Sequence, residues 1–367
     1  MKAPFPWFGG KRRVADVVWH AFGADVPNYI EPFAGSLAVL LGRPNGPGKI
    51  ETVNDVDRYL SNFWRAVAAE PLEVARWADW PVNEADLHAR HLWLVNQAEF
   101  RKRMHTDPNF YDAKAAGYWV WGICQWIGGG WCSDHAATWR PRPHLDVSNG
   151  GVGMGILSES ARNAHHRKLP KLSDMGADVG RQVSNNAYSP GRRPSIGNTG
   201  QGVHLPALGN DRGVAAPPCL DWFSELQARL RRVRVACGDF ARVLGPSVLG
   251  KGKNVGGRRP CAVFLDPPYS HDLRDPYLYS QDDASVAARA RAWALENGDD
   301  PDLRVALCGY AGEHEMPATW TEHAWKGAGG YAREDNQNRA LERIWFSPHC
   351  LPIVAQRDLF SSIGGAS

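Results

Sequence analysis

An apolar run that stops at an acid, two prolines and a tyrosine is the sharpest chemical signal in the chain: AVFLDPPYS, residues 262–270. Proline carries no backbone donor and cannot continue a central strand. Pro267 and Pro268 therefore set Asp266 and Tyr269 at the strand's carboxyl edge, where open α/β sheets bind their ligands. These residue types suit one kind of chemistry. An amine on an aromatic ring is a poor nucleophile because its lone pair is conjugated with the ring, and two acceptors gripping its N–H groups bias the nitrogen towards tetrahedral geometry. The Asp266 carboxylate and the Pro267 carbonyl supply such a pair, with the proline ring removing a competing donor and fixing φ. Tyr269 offers a face on which an extruded base stacks, a contact worth about 1–3 kcal/mol. A plain proline turn would account for the two prolines but not for the acid and the aromatic beside them.

A second cluster sits near the start of the chain. YIEPFAGSLAVL, residues 29–40, reads as a strand, a glycine turn and a helix start. Gly35 permits close approach of the backbone to a ligand, and Glu31 near the strand end can bind the amine of a zwitterion. The segment lacks the third glycine of G-x-G-x-x-G, which argues against a nicotinamide-dependent oxidoreductase. In ETVNDVD, Asp55 ends an apolar strand about twenty residues after Gly35, where an acid suits a bidentate grip on ribose hydroxyls.

The elements that must carry these residues are legible as strands alternating with helices. Residues 1–69 read as helix, strand, helix, strand, the first helix around 14–22. After residue 217 come the helix LDWFSELQARLRR, the strand VRVACGD, the buried strand CAVFLD, the helix DASVAARARAWALENG, the strand LRVALCGY and the apolar run ERIWFS. That alternation predicts an α/β fold with a mostly parallel sheet covered on both faces. Between the two halves, 71–127 shows helical spacing, with Trp77, Leu87, Leu92, Leu94 and Phe100 expected in the core and AAGYWVWGICQWI as an aromatic-rich helix. Residues 128–217 are rich in Gly, Ser, Asn, Pro and His, without periodicity, and read as a loop-rich insertion. The expected domains are thus a catalytic one from 1–70 and 218–367, interrupted by an inserted region at 71–217.

Composition bounds the partners. At 367 residues with 43% apolar content and 16 Trp, the chain can fill a sizeable core. No run approaches the roughly eighteen uncharged apolar residues of a membrane span, and MKAPFPWFGGKRR lacks the apolar stretch of a secretory signal, so a cytoplasmic location without membrane association is expected. The seven cysteines include no C-x-x-C pair, which indicates neither a disulfide framework nor zinc, and no metal is assigned to His165-His166. Net charge is only +3, yet 128–217 holds ten Lys or Arg against six Asp or Glu. The basic excess is concentrated in the insertion.

Taken together, these residues resemble the Dam-type (D12 class, α-group) family of DNA adenine-N6 methyltransferases, in which the cofactor site comes first, the recognition region second and DPPY last. The resemblance covers roughly 4–62 and 220–348. It implies a Rossmann-like S-adenosylmethionine-dependent methyltransferase sheet, S-adenosyl-L-methionine as cofactor, double-stranded DNA as partner and methylation of adenine N6. PWFGGK is similar to the family's opening motif, which implies Trp7 and Lys11 as cofactor contacts, with Gly9 and Gly10 letting the backbone close over the methionine end. EPFAGS matches the cofactor loop at Glu31, Phe33 and Gly35, and NDVD matches the ribose-binding acid at Asp55. CGDF resembles the segment that embraces the cofactor adenine, implying Asp239 and Phe240. Leu37 stands where many relatives have a second glycine, a difference expected to narrow the loop. The catalytic residues implied are Asp266, Pro267, Pro268 and Tyr269.

A target N6 lies inside the duplex, so the adenine must be flipped out and the gap filled. Trp126 and Trp131, flanking a triple glycine and followed by Arg140 and Arg142, have the aromatic and basic character for base-step insertion and phosphate contact. Three other readings of the motif set are an RNA adenine-N6 methyltransferase, a DNA cytosine-N4 methyltransferase and a catalytically inactive DNA-binding relative. The acid-first DPPY and the intact Asp266 and Tyr269 favour active adenine chemistry. No nuclease motif is present, so a partner restriction endonuclease would be a separate chain.

Overall fold

A computed structural model of the protein describes residues 1–5, 7, 10–107, 109–126, 131–132, 218–251, 259–269, 285–325 and 341–353. Gly9, Arg140, Arg142, His165-His166 and nearly all of the 128–217 insertion lie outside the described residues.

Seven strands among the described residues form one sheet: β1 (Asn28–Glu31), β2 (Ile50–Asp55), β3 (Val233–Cys237), β4 (Cys261–Leu265), β5 (Leu303–Tyr310), β6 (Thr321–Ala324) and β7 (Glu342–Phe346), in the order β3-β2-β1-β4-β5-β7-β6. The first five in that order run parallel, and β7 runs antiparallel to both β5 and β6. Side chains alternate across a strand with period two, so a strand buried on both faces reads as an unbroken apolar run. CAVFL of β4 is such a run, and its residues divide between two cores. Ala262 and Phe264 join the core that also holds Tyr29, Val53, Cys308 and Phe346. Cys261, Val263 and Leu265 join the opposite one, with Ile30, Val305, Leu307 and Trp345. The polar, largely exposed TEHA of β6 occupies the edge.

Helices cover both faces. On the first lie α1 (Ala15–Phe22), α2 (Ala38–Leu41), α3 (Arg58–Ala69) and α8 (Pro218–Leu230), the last named after four intervening helices; on the second lies α9 (Val286–Asn297), which places Ala290 and Ala294 against the strands. Asp57 caps α3, its carboxylate accepting from the backbone N–H groups of Tyr59 (2.9 Å) and Leu60 (3.1 Å). Glu51 of β2, 1% exposed, accepts from Arg229 of α8 at 2.6 and 3.0 Å and from Arg43 at 3.1 Å. This buried ion cluster ties α8 and the end of α2 to the amino end of the sheet.

The stretch predicted to be helical comprises α4 (Pro71–Ala78), α5 (Glu84–Val95), α6 (Ala98–Thr106) and α7 (Ala113–Gln125). These helices do not enclose a core of their own. Val74, Leu87, Leu94, Trp119 and Trp121 belong to the same apolar cluster as α1, α3 and the strands. Leu87, Leu94 and Phe100 are buried as expected, whereas Trp77 and Leu92 are half-buried. For Trp77 the reason is its indole N–H, which donates to the Glu73 carboxylate (2.9 Å) near the surface.

The structure places Trp131, expected as a base-step wedge, in the packed interior. It is 6% exposed, its indole N–H donates to the Trp119 carbonyl at 3.1 Å, and its ring lies against Gly122 of α7, where an added Cβ would come within 2.0 Å of it. Trp126 is half-buried and stacks on His91, ring centroids 5.4 Å apart. Both rings are spent on packing the helices, because an indole of that size, once its N–H is satisfied, gains more from burial than from exposure. Gly122→Ala should therefore destabilise the fold by about 1–3 kcal/mol through overpacking, read as a lower midpoint of urea unfolding at unchanged m value.

Candidate active site

The strand order reverses between β1 and β4, the point at whose carboxyl edge open α/β sheets bind their ligands. Two groups of residues converge on that edge. The first is built on the ends of β1 and β2. Asn54 sends its amide N–H groups to the Pro32 carbonyl (3.0 Å) and the Gly238 carbonyl (2.9 Å), which stitches the ends of β1, β2 and β3 together. Asp55 accepts from Gly35 N–H (3.0 Å) with one oxygen and from Asp57 N–H (2.9 Å) with the other. The glycine loop is thereby tied to the acid that follows it by twenty residues.

Gly35 adopts φ +46°, and a Cβ there would lie 2.6 Å from the Trp7 indole nitrogen. Glycine is needed on both counts, conformational and steric. Leu37, two residues on, is buried and left-handed at φ +54°, a conformation costly for any residue with a Cβ. Leu37 thus fills the core beneath the loop at the cost of a strained backbone. Gly10, by contrast, has φ −46° and needs no glycine for its conformation.

Glu31 is 2% exposed; its Oε2 accepts from the Tyr29 hydroxyl (2.9 Å) and from Leu40 N–H (3.3 Å). Burial pushes its pKa up to about 8 against those two bonds, and the charge of Asp266 on the adjacent strand end adds to the rise. Burial likewise raises Asp55 to about 7, with Asp57 as the next contributor. Phe33 stacks on Phe240, centroids 5.1 Å apart, and the Arg289 guanidinium lies 5.0 Å over the Phe240 ring. Asp239 accepts from Ala241 N–H (3.0 Å) and pairs with Arg289 (2.7 Å).

The second group surrounds the end of β4. Lys11, 4% exposed, places its ammonium 3.0 Å from Asp266 and 3.8 Å from Glu342. The same ammonium lies 5.1 Å from the Tyr269 ring centroid. The Tyr269 hydroxyl donates to Glu342 at 2.7 Å, and its ring meets Tyr310 edge-on at 4.4 Å. Burial opposes the Lys11 charge, yet Asp266 and Glu342 together hold its pKa above the ordinary lysine range. Burial raises Asp266, and Lys11 with the Cys308 thiol draws it part of the way back. Burial also raises Glu342, opposed by Lys11 and by the Tyr269 hydroxyl.

Most residues singled out from the sequence thus meet at one edge. Trp7, Gly35 and Asp55 are linked, and Glu31 and Asp266 feel each other's charge. Lys11, implied by its motif as a cofactor contact, places its ammonium on Asp266. Glu342, Tyr310, Cys308 and Arg289 were not foreseen. The acid opening ERIWFS was the available signal for Glu342, but its meaning depends on the direction of β7.

Comparison with known families bears on this arrangement. Residues 7–107 match the family model of D12 class N6 adenine-specific DNA methyltransferases. The match indicates a DNA adenine methyltransferase. It takes in Trp7, Lys11, Glu31, Gly35 and Asp55 and runs through α6, stopping short of Asp266. No curated protein matches the chain. Among the described residues no helix is long and apolar enough to cross a membrane, and no group of three His, Cys, Asp or Glu could hold a metal ion.

The raised Glu31 carboxyl has a measurable consequence for the stability of the protein. Folded Glu31 keeps its proton up to about 8, whereas the unfolded chain releases it near 4.5, so the folded state binds more protons throughout that window. Stability must then fall as pH rises through it. Glu31→Gln removes this dependence. The Tm advantage of Glu31→Gln over wild type should grow between about pH 5 and about pH 8, and a flat or shrinking difference would contradict the assignment.

Proposed function

We propose that the protein transfers a methyl group from S-adenosyl-L-methionine to N6 of an adenine flipped out of a specific double-stranded DNA sequence. The observation that carries this reading is the meeting, at one edge of a sheet, of the glycine loop and acid of the family-matched segment with the Asp-Pro-Pro-Tyr turn that follows β4. The strand order, with five parallel strands reversing at β1 and β4, supports a Rossmann-like sheet.

The residues present suit the cofactor. The Gly35 backbone turns at a positive φ directly beneath the Trp7 indole, which leaves no room for a Cβ, Asp55 ends its strand as a carboxylate able to accept from ribose hydroxyls, and Phe33 with Phe240 forms an aromatic wall suited to adenine. Glu31 and Trp7 would lie towards the methionine end. When bound, the cofactor supplies a methyl group already activated by its sulfonium. This chain's residues have then to position an amine and strengthen it as a nucleophile.

Asp266 would accept one N6–H and the Pro267 carbonyl the other, holding the nitrogen with its lone pair free. A carboxylate offers about four lone-pair sites, so the Lys11 and Cys308 contacts leave room for the amine. As N6 gains the methyl group, the S–CH3 bond breaks to leave a neutral thioether and N6 becomes positively charged; the two acceptors aimed at it would lower that barrier, and the N6 proton would pass along its hydrogen bond to the Asp266 carboxylate. Tyr269 would stack on the flipped ring, fixing the approach. The 71–217 region is the part of the chain free to read DNA, with its basic excess at 128–217.

Single-turnover methyl transfer to an adenine-containing duplex, with the product base identified by mass spectrometry, tests the assignment. Asp266→Ala should lose at least about 10²–10³-fold in rate, since it removes a charged acceptor. Tyr269→Trp keeps a stacking face and should retain part of the activity. Asp55→Ala should instead weaken cofactor binding by about 1.5–3 kcal/mol in calorimetry. Robust N6-methyladenine formation by Asp266→Ala, or methylation of cytosine, would overturn the mechanism.

A further inference from the structure

We infer that Glu342 is a positioning residue for methyl transfer: through the Tyr269 hydroxyl it fixes the stacking ring, and through Lys11 it keeps Asp266 a strong acceptor. The inference rests on the function proposed above and adds to the site a residue far outside its motifs. Glu342 opens β7, and because β7 is antiparallel to β5 it pairs with Tyr310, the last residue of β5. The beginning of β7 therefore lies at the same edge as the end of β4.

The geometry has two arms. One Glu342 oxygen accepts the Tyr269 hydroxyl at 2.7 Å, while Tyr310 holds the same ring edge-on at 4.4 Å. A ring held at its hydroxyl and along its edge presents its face in one orientation, which is what stacking on an extruded base requires. The same Glu342 oxygen lies 3.8 Å from the Lys11 ammonium, itself 3.0 Å from Asp266. One ammonium is thus shared between two carboxyl groups, and with both ionised the three groups carry a net negative charge.

That balance matters for the chemistry. Paired with Lys11 alone, Asp266 would be part of a neutral pair, its charge drawn towards the ammonium and away from an incoming amine. With Glu342 present, Lys11 divides its attention. The surplus negative charge faces the place where N6 becomes cationic. Nothing in the strand itself calls for an acid at this position, and burying one is costly without a partner. Glu313 and Cys308 also border the group, the first on the loop after β5 and the second on β5.

The test compares Glu342→Ala, Glu342→Gln and Glu342→Asp with wild type in single-turnover N6-methyladenine formation, alongside calorimetric affinities for S-adenosyl-L-methionine and for the duplex. Glu342→Ala should lose about 10²-fold in the methyl-transfer rate constant, as expected when a reacting geometry is loosened. Both affinities should stay close to wild type. Glu342→Gln keeps an acceptor for the tyrosine but not the charge, and should fall between Ala and wild type. Glu342→Asp should recover more activity than Gln. Tyr269→Phe combined with Glu342→Gln should cost less than the product of the separate losses, because one contact is removed twice. If Glu342→Ala does not fold, Gln and Asp carry the comparison. Wild-type rates in all variants, or affinity losses that parallel the rate losses, would overturn the role of Glu342 while leaving the proposed function standing. Failure of the wild-type protein to methylate adenine would overturn both.

Discussion

An ammonium group buried to 4% exposure must be paired or lose its charge, and Lys11 meets that demand with Asp266 at 3.0 Å and Glu342 at 3.8 Å. The three residues come from the opening motif, the turn after β4 and the start of β7. No pair of them is close in sequence, so the ion cluster can form only when the opening segment, the end of β4 and the start of β7 stand side by side. Breaking one partner would leave another charge buried alone, which makes the cluster as much a condition of the folded edge as a feature of it. The Asp266 turn is oriented by the same contacts that would set its acceptor strength.

The sheet supplies the platform for this. Because β4 is apolar on both faces, it sits at the centre with a core on either side, and its two prolines stop it at the carboxyl edge. At the neighbouring strand ends, Asn54 and Asp55 spend their side chains on backbone groups of the loops around them. These bonds hold the glycine loop in place before any ligand arrives, so less ordering remains to be done on binding. The strained backbone at Leu37 belongs to the same loop. Its side chain is wholly buried, and the burial offsets the conformational cost.

The helices from α4 to α7 share the core of the sheet rather than forming a separate body. Their tryptophans explain why. Trp119, Trp121 and Trp131 are buried in the shared core, Gly122 of α7 gives the Trp131 ring room, and Gly117 lets Trp77 of α4 approach α7. A region joined to the sheet in this way moves with it, so any DNA contact made by these helices would be registered against Asp266 through continuous packing.

How much of this was legible in the chain divides along the range of the interactions. Local signals sufficed for the strands that end in Glu31, Asp55 and Asp266, for the glycine at position 35 and for the two-sided burial of β4, because side-chain alternation, proline's missing donor and the freedom of glycine act within a few residues. They also sufficed to assemble a family resemblance that the match over 7–107 upholds. Aromatic character beside a basic loop did not reveal the burial of Trp131, since the sequence does not say whether an indole faces solvent or a glycine on a neighbouring helix. The placement of Lys11 on Asp266 and the entry of Glu342 into the site were decided by tertiary structure alone. A strand's direction is not written in its own residues: had β7 run parallel to β5, Glu342 would lie at the opposite edge, and only the antiparallel pairing of Glu342 with Tyr310 brings its carboxylate to Tyr269 and Lys11.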